Sequence, residues 1–281
     1  MSLATLKSRA QLGTDAPLVT IEVFLSGGLP SFSIVGMAGT AVRESKDRVR
    51  SAILSSNFDF PQSRITVSLA PADMPKAGGR FDLAIALGIL AAGKQVSLEP
   101  FANTEIYGEL ALNGDLRKVP GVLPAALQAA SAGRAILVPR ENRTEASLAR
   151  VEARTAANLL QVTTHLTGEH ELAPVSAEKP ATLTHEEADM ADVKGQSAAK
   201  RAIEVAAAGG HNLLLVGPPG TGKSMLARRL PGILPSMSEE EALETASVCS
   251  VAGANVSVEA WHARPFRAPH HTASAAALVG G

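Results

Sequence analysis

The chain has 281 residues, a formal net charge of −1, 46% hydrophobic residues and only 3% aromatic residues. This length predicts about two domains, and the hydrophobic content excludes wholesale disorder. Because the net charge is close to zero, no whole-chain field attracts nucleic acid or membranes, and a polyanionic partner would need a local basic patch. The few aromatic side chains also argue against binding of single strands by base stacking.

Cysteine usage and hydropathy bear on the compartment. The single cysteine, Cys249, cannot form a disulfide within the chain, which suits a reducing cytoplasm. The N-terminus lacks a basic region followed by an apolar core, so we expect no signal peptide. No apolar run approaches the roughly 20 residues that span a bilayer. These features predict a cytoplasmic protein with no membrane partner.

The first half of the chain mixes strand and helix patterns, which predicts an α+β domain. Residues 19–23 alternate apolar and polar side chains as in a half-buried strand, and residues 32–35 are interpreted as its return strand. An Asn-Gly-Asp sequence at 113–115 predicts a hairpin turn between strands at 106–112 and 116–119. Further strands are predicted at 65–69, 135–138 and 159–162, and helices at 40–56, 81–92, 121–132 and 144–150.

The predicted helix at 40–56 carries a group of basic residues beside its apolar face. These residues are Arg43, Lys46, Arg48 and Arg50. They could contact nucleic acid, or they could form a solvated face that Glu44 and Asp47 balance. The sequence leaves both alternatives open.

Residues 169–191 lose periodicity and are rich in Glu, Ala, Pro and Thr, as is typical of a linker. We therefore expect a first domain at 1–168 and a second domain at 192–281. In the second domain, a helix is predicted at 196–208. The sequence Ser-Glu-Glu-Glu at 238–241 fits a capping box that starts a further helix, so its acidic triplet is interpreted as a helix start rather than a metal site.

The apolar run at 213–216 predicts a strand buried on both faces, as in a parallel sheet. The sequence Gly-Pro-Pro-Gly-Thr-Gly-Lys-Ser follows at 217–224 and matches the phosphate-binding pattern G-x-x-x-x-G-K-[ST] at every fixed position. Its glycines allow the backbone to wrap around an anion, and its N–H groups can point at phosphate oxygens. The alternative is a glycine-rich turn that binds nothing.

The chemistry of this pattern assigns a role to each residue type. Lys223 supplies the positive charge for the β- and γ-phosphates and is the candidate catalytic residue, and the hydroxyl group of Ser224 is placed to hold Mg²⁺. ATP and Mg²⁺ are therefore the expected cofactors. The candidate phosphate-binding residues are Gly217, Pro218, Pro219, Gly220, Thr221, Gly222, Lys223, Ser224 and Met225.

Two other features allow more than one interpretation. His270 and His271 are adjacent and could ligate a metal, but no Cys or acidic partner lies at a usual ligand spacing, and a structural or DNA-facing loop fits as well. Cys249 lies in an apolar stretch and is interpreted as a small core residue.

The phosphate-binding pattern resembles that of the P-loop ATPases, and three further groups of residues narrow the resemblance. The sequence DVKGQ at 192–196 resembles the entry segment of AAA+ ATPases, which packs near the adenine and so implies roles for Val193 and Gln196. RPFRAPHHTASAAALVGG at 264–281 is similar to the magnesium-chelatase-like AAA+ family in its ComM/YifB branch. Three segments in the first half of the chain also resemble that branch, namely GLPSFSIVG at 28–36, AVRESKDRVR at 41–50 and GELALNGDLR at 108–117.

This resemblance implies a Lon-protease-like, non-proteolytic first domain followed by an α/β P-loop AAA+ domain, here incomplete. It also implies a hexameric ATPase that remodels branched DNA during recombination in natural transformation. A protease would need a Ser–Lys pair at the two positions that the resemblance aligns with Arg80 and Leu123, and neither residue can serve as nucleophile or base.

After Ser224 the sequence has no apolar strand that ends in Asp-Glu, so a Walker B carboxylate is not identifiable. Neither is a sensor residue or an arginine finger. We therefore expect a truncated chain that binds ATP without efficient turnover. The alternatives are a subunit of a magnesium-chelatase-type metal-insertion ATPase and a non-hydrolysing nucleotide-binding module.

Overall fold

The computed structural model describes residues 2–36, 39–176, 188–256, 258, 261–270 and 272–276. The chain divides into two compact units. The first comprises Met1–Lys179 and Leu243–Ser257, and the second comprises Pro180–Ala242 and Val258–Gly281. None of the helices in the described part of the chain is long and apolar enough to cross a membrane.

All strands in the described part of the chain lie in the first unit. They are β1 (Ser2–Arg9), β2 (Leu18–Ser26), β3 (Ser31–Val35), β4 (Arg64–Ala70), β5 (Thr104–Ile106), β6 (Glu109–Leu110), β7 (Leu116–Arg117), β8 (Ala135–Pro139) and β9 (Ala153–Ala156). Seven of them form one sheet in the order β3-β4-β2-β1-β5-β8-β9, and β6 pairs with β7. The β1–β2 and β2–β4 pairs are antiparallel, whereas β3–β4, β1–β5, β5–β8 and β8–β9 are parallel.

The helices are α1 (Thr40–Ser55), α2 (Asp82–Ala92), α3 (Val122–Ser131), α4 (Arg143–Leu148), α5 (Leu159–Leu166), α6 (Ser197–Gly209), α7 (Lys223–Ala227) and α8 (Glu239–Val251). Single 3₁₀ turns lie at Glu99–Phe101, Arg140–Asn142, Met190–Asp192 and Pro231–Ile233. The first unit therefore mixes helices with a sheet that contains parallel strands, and its predicted mixed architecture is confirmed.

The core of the first unit lies between α2 and the central strands. Val19, Ile21 and Val23 of β2 are fully buried, as their alternation predicts. Helix α2 is buried on all sides. Its Gly88 allows the helix to approach β2 closely, because a Cβ atom at this position would lie 2.5 Å from a methyl carbon of Val23.

The predicted pairing of the return strand at 32–35 is wrong. The strand forms as β3, but it pairs in parallel with β4, and β4 separates it from β2. Parallel neighbours require a crossover connection, and α1 provides it between β3 and β4. The strand predicted at 32–35 is present, but the sequence carries no local information about its neighbour.

The predicted last strand at 159–162 is also wrong, since these residues begin helix α5. The side chain of Asn158 caps this helix by accepting a hydrogen bond from the N–H group of Gln161. The buried residues Leu159, Val162 and Leu166 follow the helical period rather than the strand period. The last strand is β9, and β1, which the patterns did not predict, pairs along its whole length with β2.

Part of the predicted linker at 169–191 packs within the first unit. Leu172 is buried, and the N–H group of Val175 donates to the carbonyl oxygen of Ala153 at 2.8 Å. Residues 177–187 lie outside the described residues. The domain boundaries at 168 and 192 stay predictions.

The second unit consists of α6, α7, the start of α8 and short turns around a small apolar cluster. The buried members of this cluster are Met190, Val193, Ile203 and Leu226. The strand predicted at 213–216 is wrong for the described structure, in which these residues form no strand pairing. Leu214 is 84% exposed and Val216 is 85% exposed. A strand needs a neighbour for its backbone groups, and no described residue of the second unit supplies one.

Candidate functional site

The phosphate-binding pattern at 217–224 forms an exposed loop that leads directly into α7. Gly220 and Gly222 have φ angles of 83° and 85°. Side chains other than glycine rarely adopt this left-handed region, so both glycines are required by the path of the backbone. The loop therefore depends on glycine at these two positions of the pattern.

Two side chains of the loop bond to its own carbonyl groups. The hydroxyl group of Thr221 donates to the carbonyl oxygen of Pro218 at 2.9 Å. The ammonium group of Lys223 donates to the carbonyl oxygens of Gly217 at 2.8 Å and Pro218 at 2.7 Å. These contacts place the positive charge of Lys223 over the loop that precedes it.

The backbone of the loop leaves donors unused. The N–H groups of Gly220, Thr221 and Gly222 donate to no acceptor among the described residues. Three unpaired backbone donors beside one ammonium group form a site that an anion would complete. The geometry of the loop therefore fits the phosphate groups of a nucleotide.

The structure brings one of the other candidate residues to this loop and buries another. Gln196 lies just before α6, and its side-chain amide donates to the carbonyl oxygen of Thr221 at 3.3 Å. Val193 is only 3% exposed, because it packs in the apolar cluster with Ile203. Met225 lies in the first turn of α7 and is 40% exposed.

The hydroxyl group of Ser224 is exposed and makes no hydrogen bond with the described residues. It is thus available as one oxygen ligand for Mg²⁺, an ion that usually keeps water and phosphate oxygens as further ligands. Among the described residues there is no group of three or more His, Cys, Asp or Glu side chains that could hold a metal ion.

The capping box at 238–241 is confirmed. The N–H group of Glu241 donates to the hydroxyl oxygen of Ser238 at 3.2 Å, and the carboxylate of Glu241 accepts from the N–H group of Ser238 at 2.9 Å. Hydrogen bonds from Ser238 and Arg264 lower the pKa of Glu241. Glu241 therefore acts as a helix cap, and α8 extends to Val251.

Sequence reasoning did not single out Arg229, which ties two segments of the second unit together. Its guanidinium group donates to the carbonyl oxygen of Asp189 at 2.8 Å and lies 3.8 Å from the carboxylate of Asp192. This contact joins the residues after α7 to the turn before α6. The only signal in the sequence is the pair of arginines at the end of the helix that follows the phosphate loop.

The two positions aligned with a protease Ser–Lys pair belong to segments that lie side by side. Arg80 is 3% exposed and donates to the carbonyl oxygens of Pro120 at 2.8 Å and Gly121 at 3.3 Å. Leu123 is fully buried, and its N–H group donates to Glu145 at 3.1 Å. A guanidinium group and an isobutyl group stand at these positions, and neither supplies a nucleophile or a base.

The basic residues of α1 do not form one free patch. Arg48 donates to the carboxylate of Asp82 at 2.7 Å, and Asp82 also accepts from Ser45. Burial raises the pKa of Asp82, and these two hydrogen bonds oppose the rise. Arg50 is exposed, with its guanidinium carbon 5.0 Å from the centroid of the Phe60 ring. Lys46 is half-buried, and the side chain of Arg43 lies outside the described residues.

The remaining candidates have simple environments. Cys249 is a free thiol of intermediate burial in α8, so it is less buried than the predicted core residue. The ring of His270 lies 2.8 Å from the hydroxyl oxygen of Thr272. His271 lies outside the described residues.

Comparison with known proteins identifies the family of the chain. One family model, "Subunit ChlI of Mg-chelatase", matches residues 21–142, and a second, "Magnesium chelatase, subunit ChlI", matches residues 189–281. The chain is 51% identical to the uncharacterized protein YifB of Salmonella typhimurium over 282 aligned residues and 50% identical to the competence protein ComM of Haemophilus influenzae over 287. It is 49% identical to YifB of Escherichia coli over 285 residues.

Each of these alignments covers 100% of this chain and 56% of the relative, so the chain spans about half the length of the curated relatives that it matches. The two family models together match both compact units, and the identity to YifB and ComM extends from one end of the chain to the other. The chain belongs to the magnesium-chelatase-like AAA+ family that includes YifB and ComM.

Proposed function

We propose that residues 217–224 bind Mg·ATP and that the chain is part of an ATP-driven, ComM-type DNA-remodelling motor. The observation that carries the first half of this proposal is the loop itself, which leaves three backbone donors unpaired beside Lys223. A loop that served only as a turn would not need two glycines in the left-handed region and an ammonium group folded over them.

Each residue has a defined task in this proposal. The N–H groups of Gly220, Thr221 and Gly222 bind phosphate oxygens, and Lys223 releases its carbonyl partners to neutralise the β- and γ-phosphates. Ser224 contributes one oxygen to Mg²⁺. Gln196 holds the loop in place through the carbonyl group of Thr221. When bound, ATP supplies the phosphoanhydride bond whose hydrolysis drives the motor.

Replacement of Lys223 tests the binding site. Lys223→Ala removes the one charge-assisted phosphate contact of the loop side chains, which is worth about 1.5–3 kcal/mol. We expect the affinity for Mg·ATP to fall roughly tenfold to a hundredfold by isothermal titration calorimetry. Lys200→Ala removes the same charge from α6 and should leave the affinity unchanged. Equal affinities of Lys223→Ala and the parent chain would reject the assignment.

Turnover by this chain is a separate prediction. Phosphoryl transfer needs a held metal and an aligned water as well as a bound phosphate, and an acidic pair for these roles is not identifiable after Ser224. We expect the 281-residue chain to bind ATP and to release phosphate only slowly. Rapid phosphate release that depends on Lys223 would contradict this expectation.

The proposed DNA partner rests on the family resemblance and on the identity to the protein named competence protein ComM. On α1, the free basic charges are fewer than the sequence predicts, because Arg48 is paired with Asp82. Few phosphates would therefore be neutralised by this helix. The logarithm of the DNA affinity should then fall with the logarithm of salt concentration at a slope of about −0.9 per phosphate contact.

Two substitutions with the same charge change test this surface. Arg50→Gln should weaken binding of forked DNA and lower the salt slope by about one phosphate contact. Lys94→Gln removes an exposed charge that follows α2 and should change neither quantity. If both variants bind forked DNA like the parent chain, α1 is not the DNA-binding surface.

A metal-insertion ATPase is the second candidate, because both matching family models are described by a magnesium-chelatase subunit. The 50% identity to ComM across the chain favours the DNA-remodelling proposal. Salt-sensitive binding to forked DNA separates the two candidates. The hexameric assembly and the cytoplasmic location that the resemblance and composition imply stay predictions, and the first can be checked by light scattering with and without Mg·ATP.

A further inference from the structure

A cleft of about 460 Å³ lies entirely within the first unit. Its lining includes Gly78 and Gly79, which precede α2, and the side chains of Gln11, Arg80 and Glu109. None of these residues has a role in the proposed nucleotide site. The cleft is therefore a separate feature whose chemistry can be examined by itself.

Arg80 is a buried cation with unused donors. Its terminal Nη2 bonds to the carbonyl oxygens of Pro120 and Gly121, but its Nε and Nη1 have no hydrogen-bond partner in the part of the chain that the structure describes. The ring of Tyr107 lies 6.0 Å from the guanidinium carbon, at the outer limit of a cation–π contact. Burial lowers the pKa of Arg80, yet a guanidinium group stays charged in proteins.

Buried donors without partners are rare in folded proteins, and a buried charge without an ionic partner is costly. Arg80 makes no hydrogen bond or ion pair with a carboxylate among the described residues, although the negative charge of Glu145 acts on it electrostatically. The neighbouring N–H groups of Gly78 and Gly79 also donate to no acceptor among the described residues. This side of the cleft is therefore a set of donors that an oxyanion would satisfy.

Glu109 gives the cleft an acceptor as well. It lies against Gly79, where a Cβ atom would come within 2.5 Å of its carboxylate oxygen. Its pairing with Arg117 is long, at 3.6 Å, and the side chain of Arg117 is exposed. A doubly charged phosphate would be repelled by this carboxylate more strongly than a singly charged ligand.

We propose that this cleft binds the carboxylate group of an amino-acid or peptide ligand, with Arg80 as its cationic partner and Glu109 as the acceptor for a ligand N–H group. A planar carboxylate matches the two parallel donors of a guanidinium group. Because Nε and Nη1 are closed off from solvent, this binding requires the guanidinium group to turn toward the cleft. The bound ligand then supplies the acceptors that Arg80 lacks.

The test follows the Nε–Hε signal of Arg80 by NMR in the full 281-residue chain labelled at arginine, with the signal assigned from an Arg80→Lys variant. The probes are acetyl-Gly-Gly with a free carboxylate, the same peptide as its C-terminal amide, and inorganic phosphate. We expect acetyl-Gly-Gly to shift the Arg80 signal in a saturable way and the other two probes to leave it in place. The signal of Arg50, which lies on α1, should not move.

A variant that gains affinity keeps the test independent of folding defects. Glu109→Gln removes the charge that repels an anion but keeps an oxygen that can accept from a ligand N–H group, so it should bind acetyl-Gly-Gly several-fold more tightly and should begin to respond to phosphate. A response of the parent chain to phosphate equal to that to acetyl-Gly-Gly would overturn the choice of a peptide carboxylate. No response to any probe, in the parent chain and in Glu109→Gln, would overturn the site itself.

Discussion

Two apolar runs of similar composition differ in burial: one is buried in the first unit, and the other is exposed in the second unit. In the first unit, β8 contains Ile136, Leu137 and Val138, which are at most 1% exposed. In the second unit, the run at 213–216 contains Leu214 and Val216, which are more than four-fifths exposed. β8 lies between β5 and β9, whereas no described strand flanks the second run.

The difference teaches that an apolar run predicts a strand only together with its neighbours. The backbone groups of β8 are paired on both sides, and its side chains pack beneath helices α3 and α4. The second run has the same intrinsic preference but exposes side chains that a neighbouring strand would cover. Such exposed apolar side chains are typical of a surface that associates with another segment.

The largest expected effect comes from making the same substitution in both runs. Leu137→Ala removes a fully buried side chain and should lower the free energy of unfolding of the first unit by about 2–5 kcal/mol. Leu214→Ala changes an exposed side chain and should alter stability by no more than about 0.5 kcal/mol. Denaturation followed by circular dichroism measures both values.

The fluorescence of Trp261, the single tryptophan, provides the control for this pair, because it lies in the second unit. Its transition should stay in place in Leu137→Ala if the units unfold independently. A loss of more than 2 kcal/mol in Leu214→Ala would break the comparison, since it would show that the run at 213–216 is buried in solution.

Local sequence patterns predict those structural features that depend on residues close together in the chain. The alternation of β2, the length of α2 and the capping box at 238–241 all follow from side chains within one turn or one strand, and the structure confirms them. The phosphate loop could likewise be predicted, because its glycines and lysine act within eight residues.

Long-range pairing could not be predicted in the same way. The salt bridge between Arg9 and Glu105 joins residues 96 positions apart, and the local sequence around either residue does not indicate its partner. From the sequence, Arg48 is interpreted as a surface charge, because its partner, Asp82, lies in another helix and leaves no local signal. The order of strands in the sheet depends on the same kind of contact, so the sequence predicts the wrong neighbour for β3.

A smaller effect tests whether local contacts stabilise the second unit where no strand does. Ser238→Ala removes the side-chain half of the capping box and should cost about 0.5–2 kcal/mol at the start of α8. Ser236→Ala changes an exposed serine two residues earlier and should be neutral. The transition of Trp261 measures both, and equal midpoints for the two variants would show that the cap contributes nothing.

The smallest expected effect depends on pH, and it tests whether residues 169–175 pack on α5 as part of the first unit. His165 in α5 accepts a hydrogen bond from the N–H group of Leu172 at 3.3 Å, and burial, assisted by the charge of Arg154, lowers its pKa while Glu171 opposes the shift. The folded state therefore takes up a proton less readily than the unfolded state, whose histidine pKa is about 6.5. The stabilising contribution is fully present above this value and is lost as the pH falls toward the lower pKa of the folded state.

His165→Gln should flatten the loss of stability of the first unit between about pH 7.5 and 5.5, whereas His170→Gln, at an exposed position on the same segment, should keep the slope of the parent chain. Equal slopes in all three proteins would mean that His165 titrates as in the unfolded chain, and that residues 169–175 do not pack on α5 in solution.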